Sequence, residues 1–419
     1  MIRVPTRHGH EATTLRRILG MAALGVAVPA WAEPISEADL IRRVLAAPIA
    51  VADLDAVEAQ TRADRTSSSI LDSPTVDARH EDVVGDATTT ALGGSVTLDL
   101  GLSPLAGARA SRLLADAGAH RRAAVALATA CGVRADALEL WAANLSVVAS
   151  LDAQERLNRL LATMEAFEGA GESSAYDRDR TAMAVVAHRT EVDDWVGEAE
   201  RLRALLTSLA GGEPVVDVVL ATLSPAPGLD ASLAELANHP ALLSASLQAG
   251  AAKAQRTAAQ LDQIPDLTVS GARRWEKTPT GNAQGFEFGG SVEVPWMNGD
   301  RAEARHQGAE HAAMEARRVR AEAELVGAVR GAHRRVAALA VAPAVASDPE
   351  AVWTAAMDRY ISAETTLDEL LQVAEAVEAA RLAIVERQRL IRSAHLDLSC
   401  AVGRFPDPAI QSVVEEAAR

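Results

Sequence analysis

The sequence predicts a mainly α-helical fold with a small β part, in which long-helix hairpins and short strand pairs occur twice along the chain. Alanine, leucine, valine, glutamate and arginine dominate, and aromatic residues make up only 3%. This composition favours closely packed helices over a thick globular core. The stretch 93–100 (GGSVTLDL) returns as 289–296 (GGSVEVPW), 196 residues later (289 − 93), and each copy leads into a long helix pattern. A repeat of this length is too long for a solenoid array and indicates a duplicated architecture.

The N-terminal segment has the pattern of a signal peptide. Four arginines (Arg3, Arg7, Arg16 and Arg17) precede an apolar run over 18–28, which ends at Pro29-Ala30-Trp31-Ala32. This run is too short to span a bilayer, and its end resembles an A-x-A cleavage site, so we expect residues 1–32 to be removed. No later apolar run reaches about 20 residues, so a mature protein that crosses a membrane would have to cross it with strands.

The first repeat is predicted over 33–212. Its longest helix covers about 65 residues, roughly 100 Å at 1.5 Å per residue, a length typical of coiled coils and stalks. The predicted elements are a helix over 36–64, a hairpin of 76–81 with 89–100, the long helix from Ser103 to Glu168, a break over 169–174 and a return helix over 175–209. Three prolines make the connector 213–230 irregular.

The second repeat is predicted over 231–403 and follows the same plan. Its predicted elements are a helix over 231–261, strands over 267–271 and 286–296 around a turn at 278–282, a helix from Asp300 to Leu339, a helix ending at Tyr360, a tip over 362–366 and a last helix to Val402. A short acidic tail, 404–419, follows Pro406.

The alternation in the strands leaves two interpretations open. In the last strand one face carries Phe286, Phe288, Val292, Val294 and Trp296, and the other carries Glu287, Ser291 and Glu293. Such a pattern suits a small soluble sheet, and it also suits a membrane barrel with an apolar exterior and a polar interior. Four strands cannot close a barrel alone, but several protomers together could.

Composition and motifs argue against several functional classes. A net charge of −16 disfavours nucleic acid, whose phosphates require clustered lysine and arginine. The chain shows no Ser/His/Asp constellation, phosphate loop or Cys-x-x-Cys motif, so we expect neither an enzyme nor a cofactor. His306 shares a helix face with Glu303 and Glu310, but without a second imidazole this pattern indicates a solvated face, and no metal site is expected. Cys131 and Cys400 are expected to be two free buried thiols, although export would permit a disulfide.

Four local patterns, in order on a duplicated chain, resemble the TolC-type outer-membrane efflux family over essentially all of the mature sequence. They are Pro265-Asp266-Leu267-Thr268-Val269 after a helix opening His239-Pro240, the passage 290–301 (GSVEVPWMNGDR), the segment 360–371 (YISAETTLDELL) and its first-repeat counterpart 171–177. The Pro74 opening and the compact length look most like the heavy-metal-efflux branch of this family.

The resemblance implies a fold, an assembly and partners. It implies a homotrimer in which each protomer contributes four strands to one shared barrel in the outer-membrane lipid and its helices to a periplasmic α-helical tunnel. It also implies docking to a periplasmic adaptor (membrane fusion) protein and an inner-membrane pump of the proton-driven RND type. The chain would then be a passive exit duct for metal ions or small toxic compounds.

The resemblance also assigns roles to residues at the helix tips. Ala363 replaces the family's tip glycine, and the acidic pore position six residues later is Glu369. The deeper acidic position falls on Gln372, so Asp368 is a substitute. The same spacing from Gly171 gives Asp177, whose family counterpart contacts a tyrosine placed like Tyr360 in the closed state.

Alternatives remain for the tip acids, the strand aromatics and the whole protein. Asp177, Asp368 and Glu369 are also first-turn acids of the kind that stabilise a helix N-terminus. Trp275, Phe286, Phe288 and Trp296 are expected to form a thin interfacial belt, since the first hairpin has no aromatic residue. The rival proteins are a soluble periplasmic coiled-coil adaptor and a structural stalk. An adaptor has one helical hairpin beside a compact β domain, whereas here both hairpin and strands are duplicated.

Overall fold

The computed structural model describes residues 33–66, 75–83, 87–99, 102–264, 266–278, 281–293, 300–340 and 348–418. The predicted signal peptide, Pro74 and Trp296 lie outside these residues. The contacts divide the chain into two compact units. The first comprises the described residues of Met1–Ala47, Gly132–Leu223 and Ala342–Ser393, and the second those of Pro48–Cys131, Ser224–Val341 and Ala394–Arg419.

Helices dominate both units. In chain order they are α1 (Glu37–Ala46), α2 (Pro48–Thr66), α3 (Ser103–Ala170), α4 (Ala175–Leu209), α5 (Leu229–Glu235), α6 (Pro240–Leu261), α7 (Asp300–Ala340), α8 (Pro349–Ile361), α9 (Leu367–Val402) and α10 (Pro408–Ala417). The long helices follow the predicted boundaries closely, because alanine-rich segments without internal proline keep a continuous backbone ladder. No helix within the described ranges is long and apolar enough to cross a membrane.

Three helix predictions were wrong in detail, and proline explains all of them. The helix expected over 231–261 is divided into α5 and α6, because His239, which precedes Pro240, is extended at φ −65° and ψ 123°. The helix expected over 36–64 is divided into α1 and α2, because Ala47, which precedes Pro48, is extended at φ −69° and ψ 148°. The acidic tail contains α10, which begins at the start signal Asp407-Pro408 and buries Ile410, Val413 and Val414 at helical spacing.

The β structure consists of one four-stranded antiparallel sheet and a two-residue pairing. The strands, in chain order, are β1 (Ile35–Ser36), β2 (Thr75–Val83), β3 (Ala87–Leu98), β4 (Val218–Val219), β5 (Asp266–Thr278) and β6 (Gly281–Glu293). The sheet has the order β2-β3-β5-β6, whereas β1 pairs with β4 in parallel. Gly93 of the repeated motif allows close strand approach, since a Cβ there would lie 2.7 Å from the Ala272 Cβ. Both strands of the second hairpin are longer than predicted, because they extend into the segment 278–282 that was predicted as the turn.

The second unit contains a feature that contradicts the prediction of two free thiols. Cys131 on α3 and Cys400 on α9 form a disulfide, with their Cα atoms 6.1 Å apart. Beside it, the buried His239 begins α6: its Nδ1 accepts a hydrogen bond from the Ala241 amide, and its ring also hydrogen-bonds the Cys400 backbone. Burial lowers the pKa of His239. The thiols are 269 residues apart in sequence, so their pairing depends on how helices from the two repeats pack.

Candidate functional site

The two helix-to-helix tips in the first unit have the same backbone geometry. Gly171 between α3 and α4 has φ +78°, and Ala363 between α8 and α9 has φ +57°. At the first tip the Gly171 amide donates to the Glu168 carbonyl, and the next amide donates to the Phe167 carbonyl. The corresponding bonds at the second tip have the same pattern, which closes each helix with a left-handed residue. The correspondence between Gly171 and Ala363 therefore holds in the structure.

An alanine in this left-handed conformation gives a testable stability prediction. Left-handed backbone costs a residue with a Cβ about 1–2 kcal/mol, and glycine avoids this penalty at some cost in unfolded-state entropy. We expect Ala363→Gly to raise the free energy of unfolding by about 1 kcal/mol and Gly171→Ala to lower it by about the same amount. Thermal unfolding of purified protein measures both changes. Gly197→Ala within α4 is the control and should stabilise, because Gly197 has ordinary helical backbone and open space around it. Destabilisation by Ala363→Gly would contradict the assignment.

Two of the predicted tip acids take part in the capping of the helices that they begin. In α4 the Ser174 hydroxyl accepts from the Asp177 amide at 3.1 Å and donates to the Asp177 carboxylate at 2.8 Å. In α9 the Thr366 hydroxyl accepts from the Glu369 amide at 3.3 Å, and the Glu369 carboxylate accepts from the Thr366 amide at 3.1 Å. The second arrangement is a capping box. Asp177 and Glu369 therefore have the helix-stabilising role that their first-turn positions predict. The hydrogen bond of the Glu369 carboxylate is to a neutral backbone amide, so it does not neutralise the charge.

The other tip acid, Asp368, has a basic partner that the sequence reasoning missed. Arg180 on α4 forms an ion pair with Asp368 at the start of α9, and both side chains are substantially exposed. A pair of this kind contributes about 0–1 kcal/mol because water screens it. Arg180 is one turn beyond Asp177, so helical spacing could have identified it as a tip residue. Gln372 is exposed further along α9.

Tyr360 lies partly buried in the apolar cluster behind the tips. Its hydroxyl donates to the Met164 sulfur, with an oxygen–sulfur distance of 3.3 Å. Burial raises the pKa of Tyr360, and the negative charge of Asp177 raises it further. Tyr360 and Asp177 are therefore close enough to interact electrostatically, although the hydroxyl hydrogen-bonds sulfur. The cluster around them includes Leu160, Met164, Trp353, Leu370 and Val377.

A charge network around the buried Arg156 lies next to this cluster and was also missed. Arg156 is 3% exposed, and its Nη1 lies 3.3 Å from the Glu350 carboxylate. Arg381 bridges the same Glu350 and Asp152, at 2.5 and 2.9 Å. Burial lowers the pKa of Arg156, the positive Arg381 lowers it further, and the carboxylates oppose both effects. Arg156 follows the buried Ala153 by three residues and precedes Leu160 by four, so helical periodicity would have placed it on the buried face.

The four-stranded sheet separates apolar from polar side chains. Residues paired directly across antiparallel strands project to the same face, so the register assigns each position to a face. One face carries the exposed apolar residues Val76, Leu92, Val96, Val269, Phe286, Phe288 and Val292. The other face carries mainly polar and small residues, with a Thr97–Thr268 hydroxyl contact at 3.1 Å. The alternation noted in one strand therefore extends across all four.

The predicted aromatic residues lie on the apolar face of this sheet where they are described. Phe286 and Phe288 are 74% and 82% exposed. Trp275 is on the same face, and the Arg273 guanidinium lies 5.1 Å from its ring centroid. The fourth aromatic residue, Trp296, is outside the described residues. The exposed rings give the face the composition expected of a surface that contacts lipid or another apolar partner.

Comparison with known proteins gives a match at the level of structure. No protein-family model matches the sequence, and no curated protein matches it. CusC, solved in a study of transmembrane channel formation, has a TM-score of 0.69 at 16% identity, covering 90% of this chain and 96% of its own. VceC, an outer membrane protein of Vibrio cholerae, has 0.68 at 16%, covering 88% and 96%. The Campylobacter jejuni CmeC outer membrane channel has 0.68 at 13%, covering 91% and 89%.

These matches establish the fold and cover nearly the whole of each protein. The predicted mainly helical fold with duplicated helix hairpins and a small β part is confirmed. The chain has the fold of solved outer-membrane channels.

Proposed function

We propose that the chain is an outer-membrane channel of the TolC type, the passive exit duct of a tripartite efflux system. Three protomers assemble, their strands form one barrel in the outer membrane, and their helices form a periplasmic tunnel. A periplasmic adaptor and an inner-membrane pump of the proton-driven RND type supply and drive the cargo. The fold shared with solved outer-membrane channels supports this proposal, which makes no use of a catalytic group.

The observation that carries the proposal is the four-stranded sheet. Its apolar face is exposed to an extent that is costly in water, with Phe286, Phe288 and Val76 each more than 70% exposed. Its outer strands β2 and β6 each pair with one strand within the described residues, which leaves two sheet edges. Unpaired edges in a bilayer cost several kcal/mol per polar group, so a membrane sheet must close. Pairing β2 of one protomer with β6 of the next closes it.

The tips supply the proposed pore constriction. In a threefold assembly each inward side chain forms a ring, and a ring of carboxylates favours cations. We assign this ring to Glu369, because its carboxylate accepts a hydrogen bond from the neutral Thr366 amide and therefore keeps its negative charge. Asp368 is less suited since Arg180 pairs with it. Gln372 is neutral. Asp177 and Tyr360 are proposed to stabilise the closed state, since the negative charge of Asp177 acts on Tyr360.

The channel is tested by fractionation followed by single-channel recording. Full-length protein with its signal peptide should be recovered as a trimer in the outer-membrane fraction and should conduct in planar bilayers. We expect Glu369→Gln to lower the cation-over-anion permeability ratio at least about twofold, measured from reversal potentials in a KCl gradient. Glutamine is the appropriate replacement because it retains the capping box while removing the charge.

The control for this test is Glu198→Gln, which changes the net charge equally on α4. Residue 198 is 21 residues beyond Asp177 on the same helix, about 30 Å along its axis. Recovery in the soluble periplasm would contradict the channel and support an adaptor, and a membrane-bound trimer without conductance would support a stalk. Conductance with an unchanged reversal potential would remove Glu369 from the constriction.

The cargo is proposed to be metal ions, as in the heavy-metal-efflux branch of the family. The compact length and the Pro74 opening support this assignment, although Pro74 lies outside the described residues. Growth of a strain that lacks its own efflux channels and expresses this protein distinguishes metal ions from drugs as the cargo. Restored growth on metal salts supports a metal exporter, whereas restored growth on drugs alone contradicts it.

A further inference from the structure

A buried histidine and two glutamates converge in the first compact unit, away from the groups assigned to the pore. His188 and Glu191 are one helical turn apart on α4, and Glu378 lies on α9. The His188 side chain is 6% exposed and that of Glu378 is 12% exposed, whereas Glu191 is largely exposed. One ligand atom from each residue lies within 4.8 Å of the other two. Among the described residues this is the one such group of three.

The hydrogen bonds of the histidine determine which nitrogen faces the carboxylates. Nε2 of His188 lies 3.0 Å from the Ser150 carbonyl oxygen, which can only accept, so Nε2 carries a proton. Nδ1 then faces Oε2 of Glu191 at 3.2 Å and Oε2 of Glu378 at 3.3 Å. A neutral imidazole would direct its Nδ1 lone pair at two negative oxygens, of which the one from Glu378 belongs to a largely buried side chain. Such an arrangement requires a positive group between these atoms, which is either a proton, on the ring or on one of the carboxylates, or a metal ion.

The two nitrogen–oxygen distances are compatible with a tetrahedral metal site. Two ligands at about 2.0–2.1 Å from a tetrahedral Zn²⁺ are about 3.3–3.4 Å apart, close to both nitrogen–oxygen distances here. The Ser150 hydroxyl donates to Oε1 of Glu378 at 3.0 Å, which leaves Oε2 for the cluster. A carbonyl on the far nitrogen and a hydroxyl on the carboxylate are typical outer-shell partners of metal ligands.

We propose that His188, Glu191 and Glu378 bind a divalent transition-metal ion of the Zn²⁺ class, which clamps α4 to α9. A neutral imidazole and two carboxylates carry a charge of −2, which matches a divalent cation. The exposed side of Glu191 leaves a fourth position for water. Imidazole nitrogen favours Zn²⁺, Co²⁺ or Cu²⁺ over Mg²⁺ and Ca²⁺, which prefer oxygen ligands. Arg156 brings a positive charge near Glu378, but its Nη1 lies 3.3 Å from the Glu350 carboxylate, which offsets that charge.

The site is tested on full-length protein in detergent, without a histidine tag and after chelator treatment. Co²⁺ is the probe, because tetrahedral Co²⁺ has a strong visible absorption, and Zn²⁺ affinity follows from displacement of the Co²⁺ signal. We expect one Co²⁺ per protomer, displaced by one Zn²⁺. His188→Gln and Glu378→Gln should each weaken binding at least about tenfold. Zn²⁺ should raise the unfolding temperature by a few degrees, because it binds the folded state.

Two further variants separate the site from adventitious binding and from misfolding. His306→Gln removes an exposed histidine on α7, whose Nε2 lies 3.5 Å from Glu310 of the same helix, and it should leave binding unchanged. Glu191→Gln changes an exposed carboxylate, so it should fold normally yet lose both the tetrahedral absorption and the Zn²⁺ shift. Absence of Co²⁺ binding by the wild type would show that a proton occupies the position and would overturn the proposal. Binding that survives in His188→Gln would overturn it equally.

Discussion

Replacing both cysteines with alanine is expected to lower the free energy of unfolding by about 3–5 kcal/mol, the largest effect that this structure predicts. The disulfide joins Cys131 and Cys400 across 269 residues of sequence. Closing so long a loop removes much of the entropy of the unfolded chain, for which the loop-entropy relation gives about 5.6 kcal/mol as an upper estimate. For a chain of this size the loss corresponds to a decrease in unfolding temperature of roughly 5 °C. Thermal unfolding followed by circular dichroism, at fixed protein concentration, measures it.

Reductant provides the internal control for the disulfide prediction. Wild-type protein in dithiothreitol should unfold near the temperature of the cysteine-free variant, which itself should not respond to dithiothreitol. Each single Cys→Ala variant should resemble the double variant, because either change breaks the same bond. An unfolding temperature that is identical with and without reductant, in protein shown by thiol titration to be oxidised, would contradict the prediction.

Replacing Glu37 with alanine is expected to lower the free energy of unfolding by about 3 kcal/mol, because Glu37 is a buried carboxylate with two partners. Its residue is 5% exposed. One carboxylate oxygen accepts from Nε of Arg134 at 2.5 Å, and the other accepts from the Ala221 amide at 2.9 Å. Removing one member of a buried pair leaves the other charge poorly solvated, at a cost of about 3–5 kcal/mol. We take the lower end because Arg134 retains 15% of its side-chain exposure.

A second arginine near Glu37, Arg392, should increase the loss of stability caused by the substitution. Burial lowers the pKa of Arg392, and the negative charge of Glu37 opposes that decrease. Arg392 also donates to the Ala221 carbonyl and lies over the Trp141 ring at 5.1 Å. Glu37→Ala therefore removes a negative charge that stabilises two positively charged arginines, Arg134 and Arg392, in the same unit. Chemical denaturation with urea measures the change.

The matched control is Glu198→Ala, which removes an exposed carboxylate that is ion-paired with Arg201 on the same helix at 2.6 Å. Water solvates both groups of this pair, so its loss should change stability by about 0.5 kcal/mol or less. Equal effects of Glu37→Ala and Glu198→Ala would show that burial of Glu37 does not determine its contribution.

Most of the helical fold could be predicted because its signals are local. Gly171 and Gly211 mark helix ends, Pro240, Pro349 and Pro408 follow capping residues, and long stretches between them favour helix without interruption. The alternation of Phe286 and Phe288 with Glu287 likewise identified the apolar face of the sheet before any strand partner was known. These patterns act over one or two helical turns or a few strand positions, so the sequence displays them directly.

The candidate sites were predicted less completely because their partners are distant in sequence. Glu369 and Asp177 were identified at the tips, but Arg180 opposite Asp368 and the buried Arg156 were not. The cluster around His188 shows the same limit. Glu191 is its neighbour by helical spacing, whereas Glu378 is 190 residues away and reaches it only through packing.

By itself the sequence determined the long helices, the two strand pairs, the duplication and the polarity of the strands, since each of these depends on backbone propensity or on periodicity within a segment. Only the tertiary structure decided which segments pair. It placed β3 against β5 and joined the two cysteines that were expected to remain free thiols. It also brought Arg180 of α4 to Asp368 of α9. The physical reason is that these contacts depend on the angle and register between long helices, which many side chains fix together and no short pattern encodes.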